Sequence, residues 1–333
     1  MFMLRGGVPW QKLALPCSLL PAETDLSQHR SNIIENDPSV IAVVLTWNDY
    51  GDTVRCIESL KKATYPSLDI VLVDNGSTDG SPEKLSEKFP DIPLLKLPSN
   101  KGYGAGNNAG IRFAMRKGYN YLLILNNDVI VDPEFLEQMV QAMQTQPSVG
   151  VVTCKAFFQS DPARIYTTAG RFSKARCSGI PRPISRVDED GDASYISGCI
   201  MLVNRKVFDI AGLFDERFFM YFEDVEFSRR ILAKFRIYYV ARGRVYHKSG
   251  GGQVWRNFTT TYLYYTSRNR ILAFQHESLI YRVYVGVYSL GVAIAKTLVI
   301  FLVSNENKTQ EGRWLRIQAI WTGVKHGFSK RHD

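Results

Sequence analysis

Cysteine is scarce in this 333-residue chain. The five present (Cys17, Cys56, Cys154, Cys177 and Cys199) are odd in number, widely spaced and never arranged as CxxC. That argues against a disulfide framework or a zinc site and reads as thiols in a reducing compartment. No internal repeat or low-complexity tract is present, and the composition is that of a globular protein with enough apolar residues for one large core and an appendage. Long uninterrupted apolar runs are also rare. In residues 1–38 the apolar residues are broken by Pro9, Pro16 and Pro21, unlike a secretory signal. The expectation is a poorly ordered N-terminal extension. Acid is nearly missing from the C-terminal third. Residues 226–333 hold 18 Lys+Arg against 5 Asp+Glu, a balance of +13, whereas residues 1–225 hold 23 against 27, a balance of −4. A basic third points to phosphates, a membrane surface or nucleic acid, but no nucleic-acid recognition motif accompanies it.

What is present begins at residue 40. "VIAVVLT" is a continuous, β-branched run, as in a parallel strand buried on both faces. Helical and strand patterns then alternate to residue 154: "DTVRCIESLKKA", "LDIVLVDN", "SPEKLSEKF" with Ser81 as cap and Pro82 in first position, "IPLLKLP", "GNNAGIRFAMRKG", "YNYLLILNND", "DPEFLEQMVQAMQT" with Asp132 as cap, and "VGVVTC". This pattern predicts an open α/β, Rossmann-like sheet with helices on both faces. Ligands of such sheets bind beyond the carboxyl ends of the strands, where "TWND", "VDNGSTDGS" and "LNNDV" fall. Periodicity fades over 155–193, and within it "SKARCSGIPRPISRVDEDGD" (Ser173–Asp192) reads as a mobile loop. "YISGCIMLV" and "RIYYVA" read as further strands. Two helical segments, about 258–276 and 279–303, and a basic tail complete the chain. The division is therefore an extension over 1–38, the α/β domain over 39–252 and a basic helical region over 253–333.

Several residues carry chemistry. In "GLFDERFFMYFEDVEFSRRI" five carboxylates are threaded through six aromatic rings. Glu223 and Asp224 open a helix, where the dipole stabilises acids. That alone does not explain the rings before them; a partly dry, ringed site is how a carboxylate is tuned as a general base. Asp128 ends a strand behind Asn126 and Asn127; it is either a turn-forming residue or a ligand for a hard cation. His247, between a strand and a glycine run, is either a surface histidine or a second metal ligand. "GAGNNA" from Gly104 fits GxGxxG/A, but it follows the third strand, where a dinucleotide fingerprint belongs after the first.

In their order and spacing, "VVLTWND", "VDNGSTDGS", "NKGYGAGNNAGI", "LNNDVIVDP", "SGCIMLVNRKVFDIAGLFDERFFMYFEDVEFSRRI" and "VYHKSGG" resemble the inverting family-two glycosyltransferases of GT-A fold, in particular their rhamnosyltransferase-like branch. "YYTSRNRIL" is similar to that branch's C-terminal signature, so the resemblance runs over residues 40–275. It implies a GT-A domain with a mostly parallel central sheet, followed by a C-terminal helical segment. It implies Asp224, beside Glu223, as general base, and Asp128 with His247 as ligands of Mg²⁺ or Mn²⁺. Asp74 and Asn75 match the family's base-binding pair, and Thr46, Trp47, Lys101, Gly102, Asn107, Asn126 and Asn127 fall around the donor. Arg230, Arg268 and Arg270 are candidates for diphosphate contacts on donor or acceptor. Two departures stand out: the metal motif has one acid where relatives often have two, and Asn75 stands where many have Asp.

The implied partners are a dTDP- or UDP-linked sugar, with dTDP-L-rhamnose foremost, and a glycan or lipid-diphosphate-linked acceptor. Nucleic acid is not among them. Leu279–Ser304 is apolar but carries Arg282 and Lys296, leaving three readings open: core helix, interfacial helix or true span. The middle one goes with peripheral membrane contact at the cytoplasmic face of the plasma membrane. Two other functions remain: a non-catalytic sugar-nucleotide or glycan-binding relative, since "NND" has fewer acids than the family's motif often carries, and a nicotinamide-dependent oxidoreductase built on GAGNNA.

Overall fold

The computed structural model describes residues 37–248, 259–303 and 312–329. The expected N-terminal extension, the glycine run after Lys248 and the last four residues lie outside the described residues.

β1 (Val40–Thr46), β2 (Leu68–Asp74), β3 (Leu94–Lys96) and β4 (Tyr121–Asn126) form the parallel half of the sheet, in the order β4-β1-β2-β3. Between them run α1 (Tyr50–Leu60), α2 (Ser81–Lys88) and α3 (Tyr103–Lys117). Alternate residues of β1 and β4 serve opposite faces, as the two-residue strand period requires. Val40, Ala42, Val44, Leu123 and Leu125 pack with Ile57, Leu60 and Leu85 on one side. Ile41, Val43, Leu122 and Ile124 pack with Ile111 and Phe113 on the other. Both faces are dry, which is why these strands read as continuous apolar runs rather than alternating ones.

The register places Thr46 beside Asp74, and Leu45 beside Asn126. Three polar strand ends thus share one edge. Beyond β4 come β5 (Val129–Val131), α4 (Phe135–Thr145) and β6 (Val149–Phe158). β11 (Ile200–Asn204) inserts between β4 and β6, antiparallel to both. β12 (Arg236–His247) then runs parallel to β6, and its end pairs antiparallel with β5, His247 opposite Val129. The short α5 (Arg205–Ala211) and α6 (Glu223–Ile231) lie between β11 and β12. The result is a mixed α/β sheet of GT-A type with flanking helices.

Three local expectations need correction. The stretch Ser173–Asp192 is not a loop, and the weakly patterned residues before it are paired as well. Over 155–193 lie β7 (Asp161–Thr167) on the edge of β6, the hairpin β8 (Gly170–Ser173)–β9 (Ser178–Pro181), and β10 (Gly191–Ala193) on β12. Gly, Pro and charge erase its pattern, but a hairpin needs only backbone pairing and a turn. Asp132 does not cap α4 with its side chain; its carbonyl accepts from Phe135, and Glu134 holds the cap position. Ser81 is the first residue of α2, with Gly80 at the cap. Ser81 Oγ donates to Asp79 instead, at 2.6 Å.

The C-terminal region is a helical layer against the sheet domain. α7 (Thr260–Leu272) and α8 (Leu279–Val303) match the two expected helices, and α9 (Arg313–Phe328) is a third, where a basic tail was expected. Phe218, Phe222, Val225, Leu272, Phe274 and Val285 form one buried cluster joining this layer to the start of α6. A second cluster, Leu263, Ala293, Ile300, Ile320 and Val324, ties α7, α8 and α9 together.

Candidate active site

At the shared strand edge every polar side chain has a defined partner or setting. Thr46 is buried, its hydroxyl 2.8 Å from that of Thr53 on α1. Trp47 is half-exposed beside it. Asn48 locks the loop after β1 to the loop after β2: its N–H donates to Ser77 Oγ and its Oδ1 accepts from Thr78 N, each at 2.8 Å. Both carboxylate oxygens of buried Asp74 accept from Ser77 N.

Asn75 organises the loop before α3. Its Nδ2 donates to Asn100 Oδ1 and Gly102 O at 3.0 and 3.1 Å, and its Oδ1 accepts from Lys101 N at 3.0 Å. An aspartate could accept but could not donate to those two oxygens, so this loop specifies Asn. The Lys101 side chain points to solvent. Gly102 has φ +86°, and a Cβ there would overlap the Phe219 carbonyl. Tyr103 N donates to that same carbonyl at 2.7 Å. The loop from β3 therefore abuts the aromatic stretch directly.

The glycines of GAGNNA do not form a phosphate turn. They lie in the first turns of α3, where a Cβ on Gly106 would collide with Leu45 and one on Gly104 would press on Phe214. Their role is close packing of helix on sheet, which removes the dinucleotide reading. Asn107 is fully buried, its Nδ2 donates to Tyr103 O, and its Oδ1 has no partner among the described residues.

At the end of β4, Asn127 Nδ2 donates to Thr53 Oγ1 at 3.0 Å, and Asn126 Nδ2 lies 3.4 Å from His247 Nε2. Asp128 and His247 are 119 positions apart, yet Asp128 Oδ1 is 3.2 Å from His247 Nε2. The pairing of β12 with β5 closes that distance. The His247 ring stacks on Tyr166 of β7 with centroids 4.4 Å apart and planes 6° apart, which fixes its orientation. Among the described residues no cluster of three acids, histidines or cysteines exists. One carboxylate and one imidazole suit a divalent cation that takes its other ligands from phosphate oxygens and water.

Glu223 and Asp224 start α6 after two residues in left-handed backbone, Tyr221 at φ +67° and Phe222 at φ +72°. Such non-glycine conformations cost about 1–3 kcal/mol each and persist only when the surroundings hold them. Asn269 of α7 is the holder: its Nδ2 donates to the carbonyls of Met220 and Tyr221, both at 2.8 Å. Asp224 Oδ2 accepts from the Tyr195 hydroxyl at 2.9 Å and from Gly198 N at 3.4 Å, and its Oδ1 from Val225 N at 2.7 Å. Glu223 is buried, and its Oε2 has no partner among the described residues. Burial and the adjacent Asp224 push its carboxyl up to about 8. Burial also raises Asp224, opposed by those three donors. Of the pair, Asp224 is the member with donors aimed at it, and Glu223 the one that burial holds up most.

One short segment joins the two acidic centres. Gly198 donates to Asp224, and the next carbonyl, Cys199 O, accepts from Asn126 N at 3.2 Å.

The three arginines are not delivered to the strand edge. Arg230 bonds Glu226 and the carbonyls of Ala211 and Leu213. Arg268 donates to Arg217 O at 2.9 Å, and Arg270 lies over the rings of Phe222 and Tyr288. They brace the aromatic stretch, where diphosphate contacts had been expected. The rings are largely structural too: Phe214 and Phe227 sit in the sheet core, and Phe218 and Phe222 in the junction with α7 and α8. Tyr195 and Tyr166, which touch Asp224 and His247, carry no motif and were not singled out by the sequence.

The family model described as glycosyl transferase family 2 matches residues 41–210, which contain all four parallel strands and Asp128. This chain belongs to that family. The glycosyltransferase is 26% identical over 213 residues to the N-acetylglucosaminyl-diphospho-decaprenol L-rhamnosyltransferase of Mycobacterium tuberculosis, covering 57% of this chain and 69% of the relative. It is 30% identical over 223 residues to the O-antigen biosynthesis protein RfbC of Myxococcus xanthus, covering only 17% of that protein. The dTDP-rhamnosyl transferase RfbF of Shigella flexneri matches at 23% over 195 residues. Among solved structures, the mannosyltransferase PcManGT of Pyrobaculum calidifontis, bound to GDP-Man and Mn²⁺, aligns over 92% of this chain and 93% of its own with a TM-score of 0.54 and 16% identity. GalNAc-T7 with UDP, GalNAc and Mn²⁺ aligns at 0.53 over 64% of this glycosyltransferase and 44% of GalNAc-T7.

Proposed function

We propose that this glycosyltransferase moves L-rhamnose from dTDP-L-rhamnose to a hydroxyl of a lipid-diphosphate-linked glycan, with inversion and with Asp224 as general base. The observation that carries the reading is the contrast within Glu223-Asp224: one buried acid whose Oε2 has no partner among the described residues, and one aimed by three donors, a single peptide away from the segment that meets the strand edge. The donor lies over Thr46, Trp47, Asp74, Asn75 and the Lys101-Gly102 loop. Asp128 and His247 would hold Mg²⁺ or Mn²⁺, which when bound supplies charge neutralisation to the departing diphosphate. The acceptor O–H passes its proton to Asp224, the oxygen bonds to the anomeric carbon, and the bond from that carbon to the diphosphate oxygen breaks, its electron pair leaving with the nucleotide. Rhamnose and the lipid acceptor are supported by the names of the relatives from Mycobacterium and Shigella. Divalent metal use is supported by the metal-bound neighbours of the same fold.

Action at the cytoplasmic face of the membrane belongs to the same reading. Ile280, Val283, Val287, Leu290, Ile294 and Leu298 are exposed along α8, and neither α8 nor α9 contains an acid. An apolar face without carboxylates suits peripheral contact with an anionic bilayer.

The test is calorimetric titration with dTDP, UDP and GDP, with and without Mn²⁺, followed by transfer from dTDP-L-rhamnose to an N-acetylglucosaminyl-diphosphate lipid. Metal-dependent dTDP binding, abolished in Asp128→Ala, is expected. Asp224→Asn should keep that binding and lose roughly 10²–10⁴-fold in kcat. Near-normal transfer by Asp224→Asn removes it as the base, and preferential UDP or GDP binding removes the rhamnose donor.

A further inference from the structure

Tyr195 and the hairpin that holds it are absent from every sequence motif, yet they contact the acid on which the reaction is read to depend. Tyr195 donates to Asp224 Oδ2 at 2.9 Å. Burial and Asp224 hold the phenol well above its ordinary range, so it stays a donor. The backbone of Tyr195 is pinned to the start of β8: Gly170 N donates to Tyr195 O at 2.9 Å, and Tyr195 N donates to Gly170 O at 3.1 Å. The ring lies against β9 so closely that any side chain at Gly179 would run into it. The far end of the hairpin is fastened to α8. Tyr281 and Tyr284 donate their hydroxyls to the carbonyls of Lys174 and Ala175, at 2.9 and 2.7 Å. The hairpin is therefore a strut from the helical layer to the ring of Tyr195.

We propose that Tyr195 is a positioning residue for Asp224, and that the β8–β9 hairpin, through Gly179, sets where its hydroxyl stands. The hydroxyl fixes which carboxylate oxygen is occupied and leaves Oδ1 turned to its neighbours on α6. It also favours the ionised form, since it can only donate to that oxygen. The other titratable groups facing Asp224 are Glu223 on α6 and the Tyr103 phenol on α3, and the Asp224 charge favours the protonated form of each. Tyr195 is the facing side chain whose hydrogen bond holds the Asp224 carboxyl down. This inference rests on Asp224 as the base, but its first readout does not need substrate.

The experiment is a pH titration of aspartate carboxyl carbons by ¹³C NMR in the full chain, with Asp224→Asn assigning the resonance. In Tyr195→Phe the Asp224 midpoint should rise by roughly one unit, the equivalent of one lost hydrogen bond to a charged group. Gly179→Ala should move it the same way although the hydroxyl is still present, because the ring is displaced. In the transfer assay both variants should lose roughly 10–100-fold in kcat, the effect of a small misplacement of a reacting group, with the donor KM unchanged and the acid limb of the pH profile moved upward. An unmoved midpoint in Tyr195→Phe overturns the proposal. If Tyr195→Phe does not fold, Gly179→Ala decides: an unmoved midpoint there overturns it equally. Failure of the base reading is separate, because it shows as active Asp224→Asn while the midpoints still shift.

Discussion

Asp224 receives donors from Tyr195, Gly198 and Val225, while its neighbour Glu223 keeps a buried oxygen, Oε2, without a partner among the described residues. Position in the chain differs by one residue; the helix start rotates one carboxyl toward donors and the other into the protein. A thermodynamic consequence belongs to this scale. Glu223 moves from an ordinary 4.5 to about 8 on folding. Between those values the unfolded chain has released the proton and the folded one still binds it. Stability contributed by Glu223 is thus full below about pH 4.5 and falls as pH rises toward 8. Glu223→Gln should remove that part of the decline. Thermal melts at pH 5 and pH 8 check it: wild type should lose more stability over that interval than Glu223→Gln, and equal losses would refute the buried-acid account. The Glu-Asp pair itself was legible in the sequence, because carboxylates among rings are chemically conspicuous. The partners were not. Tyr195 lies 29 positions upstream, at the start of the run read as a strand, and nothing there marks it as a partner of Asp224.

At the scale of elements, loops from different strands are keyed to one another by backbone contact. Gly102 shows the requirement. It sits at φ +86°, and a Cβ would overlap the Phe219 carbonyl. Gly118, which ends α3 at φ +83°, faces open space. Gly118→Ala should therefore cost only the left-handed conformation, about 1–2 kcal/mol. Gly102→Ala should cost more, about 2–4 kcal/mol, because strain and a backbone collision add. It should also weaken dTDP binding, since the Lys101 loop must shift. Denaturant unfolding of the two variants, with calorimetry on each, separates the effects; equal destabilisation would mean the collision is relieved by a small shift. The parallel strands and their helices were readable from apolar runs and helical spacing, although both cap residues read from the sequence were misplaced. The insertion of β11 between β4 and β6 was not, because antiparallel pairing over 75 or more positions leaves no trace in local pattern. The β8–β9 hairpin was missed for the converse reason: its backbone pairs suffice without an apolar stripe.

For the whole molecule, the helical layer has two different faces. Its inner face meets Phe218 and Phe222 beside Glu223 and Asp224, and Lys296 turns inward, donating to Thr266 at 3.0 Å. Burial lowers that lysine to about 8. One of the two charges in this helix is therefore packed against α7, while Arg282 stays exposed near its start beside the apolar residues of the outer face. Among the described residues α8 is a helix of the length and composition to cross a membrane, but its inner contacts anchor it to the sheet domain. Peripheral docking is the outcome argued here. In vesicle flotation at low salt, the full chain should bind phosphatidylglycerol vesicles and lose most binding on phosphatidylcholine. A double variant, Val287→Asp with Leu298→Asp, should stay in solution with dTDP binding intact. Salt-independent binding to both lipids, released only by detergent, would indicate a span instead; no binding to either would remove the membrane from the account.

By itself the sequence determined the α/β class, the strand-end placement of Thr46, Asp74 and Asn126, and the acids offered for chemistry. Each of these follows from local rules: strand and helix periodicity, and the rarity of charge among rings. Only the tertiary structure decided that Asp128 meets His247, that Asp224 rather than Glu223 is served by donors, and that the three arginines brace the aromatic stretch. Those outcomes depend on which strands pair and which carbonyls lie within reach of a side chain. They are contacts between residues tens to more than a hundred positions apart, whose geometry is set by the closing of the sheet and the packing of the helical layer against it.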